Sequence, residues 1–191
     1  LDLLTANPSA GAFRVFLAAG MTGAYTAAGV SFPVIDEATP ACARAVDIDL
    51  DGDLDLATIS GNEAPGPFSP CNWRLWLNDG SGNFTESPVR LPYPSRPDDR
   101  MAFGDFNGDG WPDLALATVK VHSLGDITYP AYELLILSHD GPALTFTEVA
   151  SFPCWSPELL RWSDADGDGR LDLFVSDENG LRILRNVADA S

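Results

Sequence analysis

Basic residues are scarce in this sequence. Lys and Arg number 11 against 28 Asp and Glu, a formal net charge of −17. A surface of that sign has no patch to neutralise phosphates, which excludes nucleic acid as a partner. It disfavours an anionic membrane surface for the same reason; cations are its natural partners. No run of 18 or more apolar residues occurs, so no membrane insertion is expected. The opening LDLLTANPSAGAFRVF has no basic stretch ahead of an apolar one and does not read as a signal peptide. There are two histidines, His122 and His139. Neither has a Cys or a G-x-S-x-G motif nearby, so both read as polar loop residues and no catalytic residue or enzymatic activity is expected. Of three cysteines (Cys42, Cys71 and Cys154) at least one is unpaired within the chain. A Cys42–Cys71 bridge and three buried thiols both stand as readings. Helical periodicity is missing too: no window of a dozen residues keeps a period of 3.6.

What is abundant is aspartate in a fixed pattern. DIDLDGDLDL, residues 47–56, places Asp at every second position around one glycine. The stretch 47–55 has two relatives: DFNGDGWPD at 105–113 and DADGDGRLD at 164–172. Their starts lie 58 and 59 residues apart, which marks an internal repeat. After each comes a short apolar run (LDLATIS, PDLALAT, LDLFVS), then a second (WRLWLND, YELLILSHD, LRILRN). A third follows in the first two copies, and a fourth leads into the next acidic motif. Short apolar or β-branched runs bounded by Gly, Asn, Asp or Pro are a strand signal. With 45% apolar residues a core can form. Each unit therefore reads as four antiparallel strands, and the chain as an all-β propeller of four-stranded blades. The expected division is one segment, 1–191: a partial blade at 1–40, blades at 41–98 and 99–157, and a partial blade at 158–191. Asp2 aligns with Asp55 as the last residue of a metal loop. About three and a half blades are too few to close a ring, so the remainder is expected from the same or another chain.

The alternation has a chemical reading. In a curling loop, side chains at positions 1, 3 and 5 can aim at one centre, and Gly at position 6 permits the sharp turn. The position-7 carbonyl and the position-9 Asp complete the shell, while positions 8 and 10 plug the next strand into the core. The expected ligands are Asp47, Asp49, Asp51 and Asp55 with the Asp53 carbonyl; Asp105, Asn107, Asp109 and Asp113 with the Trp111 carbonyl; and Asp164, Asp166, Asp168 and Asp172 with the Arg170 carbonyl. An all-oxygen set suits Ca²⁺, which takes about six to eight oxygens; without His or Cys, zinc and copper are disfavoured. Three Ca²⁺ sites are expected, the second the weakest because it has one carboxylate fewer. An EF-hand would need Glu at position 12; Thr58, Leu116 and Val175 stand there.

These residues resemble the FG-GAP/VCBS repeats, the calcium-loop blades of integrin α-subunit propellers and of many bacterial secreted proteins. The matching text is VDIDLDGDLDLATI with LWLNDGSGNFTE, FGDFNGDGWPDLALA, and SDADGDGRLDLFVS with LRILRN; a worn copy, AAGMTGAYTAAG, sits at 18–29. The resemblance implies that each loop joins the first and second strands of a blade, and an extracellular or cell-surface setting. Longer inserts at 61–72 and 119–131 lie between second and third strands, where ligand contacts are added to a scaffold or where Phe68, Trp73 and Tyr129 pack locally. The function expected is a non-enzymatic, secreted calcium-binding module for adhesion, structural display or binding of a protein or glycan on a propeller face. One alternative is a lectin-like carbohydrate binder with Trp73, Trp76 or Trp155 as stacking platforms. Another is an accessory domain of a larger secreted enzyme. Asn83-Phe84-Thr85 is a formal glycosylation sequon.

Overall fold

The computed structural model describes residues 3–7, 12–18, 25–33, 39–61, 71–91, 100–124, 127–155 and 157–187. Up to residue 41, and at 60–61, 71–72, 121, 124 and 127–130, that description covers the backbone alone. Asp2 and most of the 61–72 insert lie outside it.

Among the described residues fourteen strands form four antiparallel sheets, each built from strands consecutive in the chain. Sheet 1 holds β1 (Leu3–Asn7), β2 (Ala12–Ala18) and β3 (Tyr25–Pro33). Sheet 2 holds β4 (Thr39–Val46), β5 (Asp55–Gly61), β6 (Cys71–Asn78) and β7 (Phe84–Glu86). Sheet 3 holds β8 (Arg100–Gly104), β9 (Asp113–Leu124), β10 (Ile127–His139) and β11 (Phe146–Pro153). Sheet 4 holds β12 (Leu159–Ser163), β13 (Asp172–Asp177) and β14 (Gly180–Leu184). The full repeat is thus a four-stranded antiparallel meander, as its strand pattern predicts. One 3-10 turn, Gly141–Ala143, is the helical content of the described residues. None of their helices is long and apolar enough to cross a membrane.

The sheets stack face to face, with first strands β4, β8 and β12 neighbouring one another in turn. Sheet 3 shows why its strands read as unbroken apolar runs. Leu114, Leu116, Leu135 and Leu137 lie on one face and pack with Ala57, Ile59, Trp73 and Leu75 of sheet 2. Ala115, Ala117, Leu134 and Ile136 lie on the other and pack with Leu160, Leu173 and Val175 of sheet 4. A strand buried on both faces has no polar side to alternate with. Each buried Leu, Ile or Val among them contributes about 1.5–3 kcal/mol by leaving water, and each Ala less. Polar bonds cross the boundaries as well: Arg44 Nε donates to the Met101 carbonyl at 3.0 Å and Trp162 Nε1 to the Ala102 carbonyl at 3.1 Å.

Several local expectations change. The 119–131 insert is not an irregular loop; β9 and β10 run on through it, paired from Leu114–Leu137 out to Leu124–Ile127. His122 is a strand residue whose Nε2 lies 2.8 Å from Glu133 Oε1. His139 is buried, stacked on Phe146 and edge-on to Trp111. Position 10 of each acidic motif (Leu56, Leu114, Leu173) is core, but at position 8 Leu54 is 60% exposed while Pro112 and Leu171 are half-buried. Cys42 and Cys154 are buried; a bridge to Cys71 falls outside the described side chains.

Candidate metal loops

Each acidic motif forms an eight-residue loop from the first to the second strand of its sheet, as 47–54, 105–112 and 164–171. The three loops share one hydrogen-bond plan. The position-6 amide donates to Oδ2 of the position-1 Asp: Gly52 to Asp47 at 3.1 Å, Gly110 to Asp105 at 2.9 Å, Gly169 to Asp164 at 3.0 Å. These glycines have φ of 99°, 92° and 86°, which side-chain-bearing residues rarely adopt. Position 4 is left-handed as well, at Gly108 (78°), Gly167 (80°) and, without the freedom of glycine, Leu50 (60°). The position-7 amide donates to the position-5 carboxylate: Asp53 to Asp51 at 2.9 Å, Trp111 to Asp109 at 2.8 Å, Arg170 to Asp168 at 2.9 Å.

The position-9 aspartates do something the sequence did not announce. Asp55, Asp113 and Asp172 are buried, and both oxygens of each accept backbone amides. Oδ2 takes the position-2 amide: Ile48, Phe106 and Ala165, each at 3.0 Å. Oδ1 takes an amide just beyond the core of the third strand: Asn78, His139 and Asn186, each at 2.8 Å. One carboxylate therefore ties loop, second strand and third strand together. Burial raises the pKa of Asp55 above the ordinary carboxylate value; the two amides oppose this, and Asp49 and Asp51 add to it. Burial does the same to Asp113. Exposed Asp164 goes the other way, lowered by the amides of Gly169 and Gly167.

Carboxylate oxygens of Asp47, Asp49 and Asp55 lie within 4.8 Å of one another, and so do those of Asp164, Asp166 and Asp172. Positions 1, 3 and 9 converge in these two loops; Asp51 and Asp168 at position 5 stand outside the groups. In the second loop Asn107 replaces the position-3 acid, and its Nδ2 donates to Asp109 Oδ2 at 2.9 Å. The first loop fits a hard cation on one further observation. Asp47 Oδ1 is buried without a hydrogen-bond partner, an arrangement that is costly unless a positive charge satisfies it. The third loop differs again: Asp166 pairs with Arg185 Nη1 at 2.8 Å, and Asp168 with Arg170 Nη2.

Trp73 and Trp76 are core residues, 4% and 9% exposed, and offer no face to a sugar; Trp155 is exposed. Asn83 Nδ2 donates to Asp79 Oδ2 at 2.8 Å within the turn that leads into β7.

Residues 60–116 match a family model described as FG-GAP-like repeat. The matched stretch runs from the end of β5, through the second loop, into β9. The protein is therefore an all-β chain that carries an FG-GAP-like repeat. No curated protein matches the chain.

Proposed function

We propose that this is a non-enzymatic β-propeller module whose blades are the four sheets and whose acidic loops bind Ca²⁺. In this reading it works outside the cell, in adhesion, display or ligand binding on a propeller face. The observation that carries it is the convergence of Asp47, Asp49 and Asp55 around the unpartnered Asp47 Oδ1, repeated in outline in the third loop. Without an ion, two carboxylates about 4 Å apart repel by about 1 kcal/mol in water and about 4 at an effective dielectric of 20; a divalent ion reverses that sign and supplies folding energy. Asp47, Asp49 and Asp55 hold the first ion. Asp164, Asp166 and Asp172 hold the third. The first loop binds tightest, since its acids have no basic partner among the described contacts. Calorimetric titration of chelator-treated protein tests the reading: saturable Ca²⁺ binding that Asp47→Ala removes from one site supports it, and no heat at millimolar Ca²⁺ sinks it.

A further inference from the structure

Asn-Gly occurs twice in the chain, at Asn107-Gly108 and Asn179-Gly180. The pair matters chemically, because glycine after asparagine leaves its backbone nitrogen uncrowded and able to reach the side-chain amide. Both asparagines are exposed. Asn179 sits in the turn between β13 and β14. The described contacts hold it by its backbone amide, which donates to Asp177 Oδ1 at 2.9 Å, and none engages its side chain.

Asn107 is held far more closely. Its Oδ1 accepts the Asp109 amide at 2.9 Å, which fixes the direction of its NH₂. That NH₂ donates to Asp109 Oδ2 at 2.9 Å and to Ser138 Oγ of β10 at 3.3 Å. The Gly108 amide donates to Asp105 Oδ1 at 2.7 Å. The two groups that could react with each other are therefore both committed elsewhere. Position counts as well. Asn107 stands at position 3 of the second loop, where the other loops carry Asp49 and Asp166. Those two acids converge with positions 1 and 9 of their loops.

We propose that Asn107-Gly108 is a self-modifying site, gated by the hydrogen bonds of its own loop, whose aspartate product supplies the carboxylate that the second loop lacks. The Gly108 nitrogen bonds to Asn107 Cγ, the bond from Cγ to NH₂ breaks, and ammonia leaves with the proton from the Gly108 nitrogen. Water then opens the cyclic imide, and the nitrogen recovers a proton. Breaking the new bond to Cγ gives aspartate; breaking the bond to the main-chain carbonyl gives isoaspartate. Nothing is oxidised or reduced. Closure of the ring requires the Gly108 amide to leave Asp105 and the Asn107 side chain to leave Asp109 and Ser138, so the reaction proceeds from the opened loop. Only the gain in metal binding rests on the proposed Ca²⁺ reading; the modification does not.

The test is incubation of the whole chain in mildly alkaline buffer with Ca²⁺, folded and in urea, followed by peptide mass mapping of the amide-to-acid mass gain. Asn179 is the internal clock. In the folded chain Asn107 is expected to trail Asn179 tenfold or more, and in urea to draw level with it. An Asn107 that keeps pace with Asn179 in the folded chain, or stays unconverted in urea, overturns the proposal. The second readout is terbium, a luminescent stand-in for Ca²⁺, sensitised through Trp111 of the same loop. Asn107→Asp is expected to bind it tenfold or more tighter than the unaltered chain. Equal affinity overturns the gain in metal binding alone. No Ca²⁺ binding by either form, read by calorimetry, overturns that gain together with the proposed function, while the mass readout still decides the modification.

Discussion

Asp55 shows how much one side chain can carry. Its oxygens accept amides seven residues before it and 23 after it, while the same group faces Asp47 and Asp49. Asn in its place keeps one acceptor and turns an NH₂ toward the other amide. Asp55→Asn is therefore expected to cost about 1–3 kcal/mol, read as a lower urea midpoint in chelator as well as in Ca²⁺; an unchanged midpoint in chelator would show that the residue serves the ion alone. Leu50 holds a left-handed conformation that costs an ordinary L-residue about 1–2 kcal/mol, and its side chain is 47% exposed. Leu50→Asn is expected to raise the melting temperature by roughly 2–4 °C. Cys154 is a third case. Burial pushes its thiol from 9.0 up to about 11, so the folded state keeps a proton that the unfolded chain releases. Its contribution to stability is whole below pH 9 and lost between about 9 and 11. Iodoacetamide at pH 8, read by peptide mass mapping, is expected to modify Cys154 only after unfolding.

At the scale of elements, the long β9–β10 hairpin stands out. Beyond the core its shared face carries ions: Lys120 Nζ lies 3.3 Å from Glu133 Oε2 and 2.9 Å from Glu148 Oε2. Lys120→Met leaves both glutamates without that cation. It is expected to cost about 1 kcal/mol and to quicken amide exchange at 119–124 and 127–133; unaltered exchange there would show that backbone pairing alone holds the extension. This hairpin also marks where sequence reading stops. Short apolar runs revealed the strands that reach the core, because burial dictates composition. Residues 118–123 pair just as well, but they alternate Thr118, Lys120 and His122 with Val119 and Val121 in place of an unbroken apolar run. The position-9 tie was hidden for another reason, since its partner amides belong to backbone that any residue would supply. The loops themselves were legible, for glycine and aspartate are demanded by backbone angle and charge. Even there, Leu50 obscured the left-handed position 4 that Gly108 and Gly167 displayed, and the pairing of Arg185 with Asp166 joins residues 19 apart with no local pattern.

For the molecule as a whole, chelation is expected to act unevenly. An ion at 100 times its dissociation constant adds about 2.7 kcal/mol, so its removal should lower the melting temperature. Amide exchange is expected to rise first around residues 47–55 and later around 164–172, where Arg170 and Arg185 remain beside the acids after the ion leaves. Simultaneous loosening of both would contradict that role for the arginines. The stacking has a different implication, a genetic one. The surface that sheet 2 turns toward sheet 3 uses the same strand positions as the one sheet 3 turns toward sheet 4, with Ile59 and Trp73 in the first where Ala117 and Leu134 stand in the second. A unit of about 58 residues inserted between two others would meet neighbours at the same strand positions, and only the sizes of the facing side chains, such as Trp73 against Leu134, would have to be refitted.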